Sequence, residues 1–189
     1  MDLMFPWKVT DEIELQLLEQ RHAEALFSLT DANRQYLRQW LPWVDSTRSA
    51  ADTSKFVASA VQQFADNKGF IACIWHRGAL CGVVGHHGMD RANRATSLGY
   101  WVDAAHQGKG IVTACCRAVI AHAFMELKLH RIVIRCAAQN HRSRAIPERL
   151  GFSFEGVARQ SEWLYDHFED AAVYSLLQTD ATSGAYQQP

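Results

Sequence analysis

The chain has 189 residues, 48% hydrophobic and 21% charged, with a formal net charge of -1. That length and mix describe one globular domain with a sizeable core, and the near-zero charge gives no basic field for nucleic acid. Five cysteines, none at metal-ligand spacing, read as buried reduced thiols. With no basic-then-apolar leader and no apolar run of bilayer length, the expectation is a cytoplasmic protein without membrane contact.

In chain order, residues 1–10 read as an irregular lead-in. Ile13, Leu15 and Leu17 alternate with Glu12, Glu14 and Gln16, the pattern of a half-buried strand. From Gln20 the period changes, and Ala23, Leu26, Phe27 and Thr30 share a helical face. The aromatic run Tyr36–Trp43 cannot stay helical past Leu41, because the residue before Pro42 avoids the α region. It is a core helix end or one wall of an acceptor pocket. Ser49 and Asp52 resemble a capping box. Phe56, Val57, Ala60, Val61 and Phe64 then form an amphipathic stripe, which Asn67-Lys68-Gly69 stops. Residues 70–76 and 80–86 are apolar runs joined through Arg77-Gly78, which predicts a hairpin. Residues 95–102 form the next strand.

The segment from Gly99 to Met125 organises the chain. A strand ending Gly-Tyr-Trp-Val leads into the loop Gln107-Gly108-Lys109-Gly110-Ile111-Val112. A helix follows, with Val112, Cys116, Val119, Ala123 and Leu127 on one face. A glycine loop before a helix N-terminus is an anion site: the first helical N–H groups lack partners and the dipole is positive there. A nucleotide P-loop needs Ser or Thr after Gly-Lys, where Gly110 stands. A dinucleotide fingerprint needs a third glycine, where Thr113 stands. After the helix come a strand over 130–138, a helix over 140–150 limited by Pro147, and a closing hairpin over 152–165 and 168–177. Residues 1–177 are read as one domain, and 178–189 as a polar, flexible tail. The order is that of a mixed α/β chain whose sheet is partly antiparallel.

The loop, with Gln107 first and Gly110 fourth, resembles the Gln/Arg-x-x-Gly-x-Gly/Ala signature of the GNAT acetyltransferases. Val112 replaces the small last residue. Asn140-His141-Arg142-Ser143, with Gly151-Phe152 closing the segment, resembles the Asn-x-x-Ser and Gly-Phe pattern of that superfamily's second half. Trp40-Leu41-Pro42-Trp43-Val44, Glu155-Gly156 and Glu162-Trp163-Leu164-Tyr165-Asp166 resemble the Rim-type branch, which acetylates N-terminal amines of ribosomal proteins. The resemblance implies a seven-stranded, mostly antiparallel sheet flanked by helices, with a central splay between two strands. It implies that acetyl-CoA lies along the backbone of Tyr100, Trp101 and Val102, with its pyrophosphate on Gln107, Gly108, Lys109, Gly110, Ile111 and Val112. Asn140 and Ser143 then contact the pantetheine end, and no metal takes part. The branch also contains homodimers, and the exposed edge of the closing hairpin offers a place to pair.

Acetyl transfer from a thioester to an amine needs a base for the amine proton, donors for the oxyanion and a proton for the thiolate. By resemblance, Glu162 is the candidate base and Ser143 the group that holds or protonates the thiolate. A base here is expected to be partly buried, with its pKa raised above the ordinary value of about 4.3. Ser143 is otherwise a helix cap. Tyr165 and Tyr174 are spare acid candidates. His86 and His87 are either packing residues or acceptor-facing groups. Cys136 lies near the cleft, and nothing in the sequence activates it as a nucleophile. An α-amine, with a pKa of about 7.7–8.0 against about 10.4 for lysine, is a few hundredfold richer in free base at neutral pH. A single modest base therefore favours a protein N-terminus. A polyamine, amino acid or antibiotic acceptor, and a non-catalytic acyl-CoA-binding module, are the alternatives.

Overall fold

The alternating and apolar runs assemble into one eight-stranded sheet. The computed structural model describes residues 5–181. The strands are β1 (Trp7–Lys8), β2 (Ile13–Leu17), β3 (Ile71–His76), β4 (Ala79–Asp90), β5 (Ala95–Val102), β6 (Arg131–Ala137), β7 (Ser153–Leu164) and β8 (His167–Leu177). Their order is β1-β2-β3-β4-β5-β6-β8-β7. The eighth strand is β1, a two-residue pairing of Trp7 and Lys8 with β2 inside the segment read as irregular. It was illegible because two residues carry no periodicity.

Local chemistry sets the connections. Arg77 and Gly78 both take positive φ (51° and 78°), the tight turn whose twist matches a hairpin. β5 reaches β6 through α4 (Ile111–Met125), so these strands run parallel while the other neighbours run antiparallel. α4 is the central helix. Ile111, Cys115, Cys116, Val119, Ile120, Ala123 and Phe124 are all buried, and each large apolar side chain contributes about 1.5–3 kcal/mol by leaving water. Leu127, placed on the same stripe by periodicity, lies beyond the helix end and is partly buried. All five cysteines are free and buried.

The sheet has two differently covered faces. α4 and α5 (His141–Arg149) lie on one, over Leu98, Ile132, Ile134 and Tyr174. α1 (Ala23–Ala32) and α3 (Ala50–Ala65) lie on the other, over Ile71, Cys73 and Val83. A four-residue turn of helix, α2 (Arg34–Leu37), leads into the aromatic loop at 40–47. The stripe read on α3 is only half buried. Val57 and Ala60 pack inward with Thr53, whereas Phe56, Val61 and Phe64 are 40–44% exposed. α3 packs mainly against α1, so only the stripe turned toward that helix is buried. The segment read as a tail begins with another helical turn, α6 (Gln178–Ala181), whose Ala181 is buried; residues 182–189 lie outside the described residues.

Candidate active site

β5 and β6 pair only over Ala95–Ser97 and Arg131–Val133. β5 then continues to Val102 and β6 to Ala137, each bonded only on its far side, to β4 and β8. The strands part and leave a window through the sheet. Backbone N–H and C=O groups face one another across it without protein partners among the described residues, and such groups demand partners. A chain carrying amides, laid in the gap, would supply them. A cavity of about 2410 Å³ runs through this window.

On the α4 side, Gly108 and Gly110 take φ of 71° and 76°, a left-handed conformation that side chains disfavour. Gly110 caps α4 with no side-chain hydrogen bond, so the first-turn N–H groups stay available for an anion. Val112 is buried, so its bulk points into the core and does not narrow the loop. Ile111 is buried too, and both offer the cavity backbone. Every position the sequence assigned to acetyl-CoA lines the cavity except Lys109. Its side chain is exposed, so only its backbone and charge serve the loop.

α5 closes the α4 side of the window. Asn140, not Ser143, is its cap: Asn140 Oδ1 accepts from Ser143 N at 3.1 Å. The Ser143 side chain lies near the Cys136 thiol and works against the rise in its pKa. Pro147 has no N–H, which leaves the Ser143 carbonyl, four residues earlier, without its helical partner. Tyr100 Oη donates to that carbonyl at 3.1 Å, tying β5 to α5 across the window. Burial raises the Tyr100 pKa well above its ordinary value, which keeps the phenol a donor. Two arginines of α5 escaped the sequence reading. Arg142 Nη1 donates to Gln107 Oε1 at 2.6 Å and Arg149 Nη1 to Thr113 Oγ1 at 3.0 Å. Their spacing of two helical turns was the available signal, since it puts both on the side facing the loop.

The other face is aromatic. Trp101 alternates with Tyr100 and points to this side, where its ring lies 6.2 Å from that of Trp43; its contact with the window is through backbone. Phe56, Trp40 and Trp43 complete the wall. Tyr165 Oη donates to the Leu41 carbonyl at 2.6 Å, Arg38 stacks over the Tyr165 ring at 4.1 Å, and Arg38 pairs with Asp45 at 2.9 Å. The aromatic loop is thus tied to the closing hairpin, and Tyr165 is spent on that tie. Tyr174, buried, accepts from Arg144 Nε at 2.9 Å and donates to Glu148 at 2.7 Å. Neither spare tyrosine reaches the window as an acid.

Glu162 lies in this cavity, 3.8 Å from Arg135 and with a 40% exposed side chain. Glu162 is therefore partly buried, on the edge strand β7 just past its bulge. Cys136 also lines the cavity, but burial pushes its thiol up to about 11. That favours the neutral thiol over the nucleophilic thiolate.

A parted parallel pair with free amide edges, beside a glycine-capped helix N-terminus, forms a cleft suited to a ligand that carries amides and phosphate. Residues 12–153 match the model of the acetyltransferase (GNAT) domain family, and the chain belongs to that family: it is an acetyl-CoA-dependent N-acetyltransferase. It is 40% identical over 179 residues to the putative ribosomal N-acetyltransferase YdaF of Bacillus subtilis (strain 168), covering 94% of this chain and 97% of the relative. It is 32% identical over 170 residues to the ribosomal-protein-serine acetyltransferase of Escherichia coli (strain K12), covering 90% and 95%. Among solved structures, the microcin C7 self-immunity acetyltransferase MccE in complex with acetyl-CoA and AMP superposes with a TM-score of 0.88 at 30% identity, covering 93% of this chain and 98% of that one.

Proposed function

We propose that this enzyme acetylates the N-terminal α-amine of a protein, a ribosomal protein first among the candidates, by direct attack of the amine on the thioester. The observation that carries the reading is the cavity passing through the window. It joins the α4 N-terminus on one face to the aromatic wall on the other, in a continuous volume of about 2410 Å³ that takes in both the cosubstrate cleft and the acceptor side. An extended chain end fits such a passage. The names of the two curated relatives point the same way.

In this reading the free backbone of Tyr100, Trp101 and Val102 bonds the pantetheine amides. The N–H groups of Gly108 and Gly110–Val112 receive the pyrophosphate, with Arg142 and Arg149 fixing the loop. Asn140 and Ser143 contact the thiol end. Glu162 accepts the proton that nitrogen loses as the C–N bond forms, a free N–H of the β5 edge holds the oxyanion, and the C–S bond breaks. The Ser143 hydroxyl delivers a proton to the departing thiolate. The protein works in the cytoplasm on this account. Phe154, Val157, Trp163 and Phe168, each 47–57% exposed on the closing hairpin, support a homodimer there.

A thiol-release assay with acetyl-CoA tests the reading on a panel of N-terminal peptides, polyamines and aminoglycosides. Turnover on a peptide is expected, with a fall of about 10²–10⁴-fold in Glu162→Gln while acetyl-CoA still binds. A second reading is a small amine attached to a flat ring system. It is favoured by the Trp43–Trp101 pair and by the AMP named in the MccE structure. Turnover confined to small amines would select it.

A further inference from the structure

β4 carries two adjacent histidines, and strand alternation sends them to opposite faces. His86 enters the core, fully buried, with its ring 5.1 Å from that of Phe70. His87 goes to the acceptor face and lines the same cavity as Glu162, Cys136 and Ser143. Its position is defined by Gly99. A Cβ at Gly99 would fall 2.5 Å from His87 Nε2 and 2.7 Å from Cδ2, so the imidazole lies over the glycine, in space that any other residue would fill. Gly99 is two residues beyond Ser97, the last residue of β5 paired to β6. The ring therefore stands where the window opens.

Its nitrogens are uncommitted: among the described residues, no hydrogen bond or ion pair engages the His87 side chain. The charged groups that the surrounding elements present to this side of the cavity are Asp52 and Lys55 of α3, Arg135 of β6 and Glu162 of β7. Asp52 and Lys55 pair at 3.2 Å, and Arg135 and Glu162 lie 3.8 Å apart. His86, the nearest titratable neighbour in sequence, faces away.

We propose that His87 is a second catalytic base, which removes the first proton from the acceptor ammonium before attack. The proposal rests on amine acetylation with Glu162 as the base of the bond-forming step, and not on which amine is used. An amine arrives as R–NH₃⁺ and must lose two protons. His87 takes the first, giving R–NH₂ and imidazolium, keeps it while the bond forms, and releases it to solvent through the open acceptor side only after the product has formed. Nitrogen then attacks the thioester carbonyl. The second proton passes to Glu162 as the C–N bond forms, the C–S bond breaks, and the thiolate regains a proton from Glu162 through Ser143. One amide, one free thiol and one solvent proton result. Partial desolvation holds the His87 pKa below its ordinary 6.5, so the ring is neutral at pH 7 and readily returns the proton it takes to solvent.

The test is the pH dependence of kcat/KM for the amine, at saturating acetyl-CoA, in wild type, His87→Gln and Glu162→Gln. Folding and acetyl-CoA affinity are checked by circular dichroism and calorimetry, and His87→Asn serves as a second variant. A wild type able to use the ammonium keeps a plateau below the amine's pKa. His87→Gln must capture free amine from solution. Its deficit is then about tenfold at pH 7 and about a hundredfold at pH 6 for an α-amine of pKa near 8, and vanishes above pH 9. Glu162→Gln falls by a similar factor at every pH. A plateau kept in both His87 variants, or a loss that does not change with pH, overturns the assignment. It leaves Glu162 and the choice of acceptor to be judged by the wild-type and Glu162→Gln data.

Discussion

The two faces of the sheet meet at one window but are built by different means. The α4 side is made of backbone: parted strand edges, left-handed glycines and a helix N-terminus, fastened by Tyr100, Asn140 and Arg142. The α3 side is made of side chains drawn from distant parts of the sequence, with Trp43 against Trp101, Tyr165 on the Leu41 carbonyl and His87 over Gly99. A backbone site recognises what every acyl-CoA shares. A side-chain site can vary its acceptor while the chemistry stays fixed, because loops change more freely than paired strands. His86 and His87, neighbours on β4, show the division within one dipeptide.

The largest expected effect separates those histidines by pH. Burial holds the His86 pKa down at about 3, against its ordinary 6.5, and neither ring nitrogen has a partner in the structure. Below pH 6.5 the unfolded chain binds a proton that the folded one refuses, so stability is intact above pH 6.5 and falls as pH drops toward 3. The slope from this residue reaches about 1.4 kcal/mol per pH unit. His86→Phe should flatten the loss seen in urea unfolding between pH 7 and pH 5. Part of the slope should remain, since His122, His87 and His22 are lowered in the same sense. An unchanged slope would mean that His86 is hydrated in the folded protein.

Gly110→Val tests the backbone face. A Cβ there meets nothing within 4 Å, so the cost is the left-handed φ, about 1–2 kcal/mol, plus loss of close approach by the ligand. The KM for acetyl-CoA should rise about tenfold or more, with the acceptor KM changed less than about twofold on the same scale. Equal changes in both constants would show that the faces are not independent.

Tyr100→Phe leaves the Ser143 carbonyl without a donor and should cost about 1–3 kcal/mol in a denaturant titration. Pro147→Ala restores an N–H to that carbonyl, so the loss should shrink in the Pro147→Ala background. Additive losses would sink the account of Tyr100 as the proline's substitute donor.

The smallest effect is expected from Tyr165→Phe. It removes one bond to the aromatic loop and should raise the acceptor KM roughly two- to fivefold, about 0.5–1 kcal/mol. The KM for acetyl-CoA should stay unchanged. A fall in kcat alone would return Tyr165 to the chemistry.

The strand, loop and helix around Gln107–Val112 were readable because that site is contiguous and its glycines mark conformations other residues avoid. The Asn140 and Ser143 segment was readable for the same reason, and only the choice of Asn140 over Ser143 as the cap needed coordinates. By contrast, Phe56, Val61 and Phe64 fit a buried stripe by spacing and are exposed, because burial depends on what lies opposite, which periodicity does not encode.

The sequence alone determined the family and the order of the main elements, since these rest on local backbone preferences and short motifs. Only the tertiary structure assembled the side-chain face of the window. Trp43, His87, Trp101, Glu162 and Tyr165 come from separate parts of the chain, and their chemistry arises from proximity that folding alone creates. Pro147 and Tyr100 make the same point in miniature. The sequence shows a proline where a helix lacks a donor, and only the packed sheet shows which side chain supplies one.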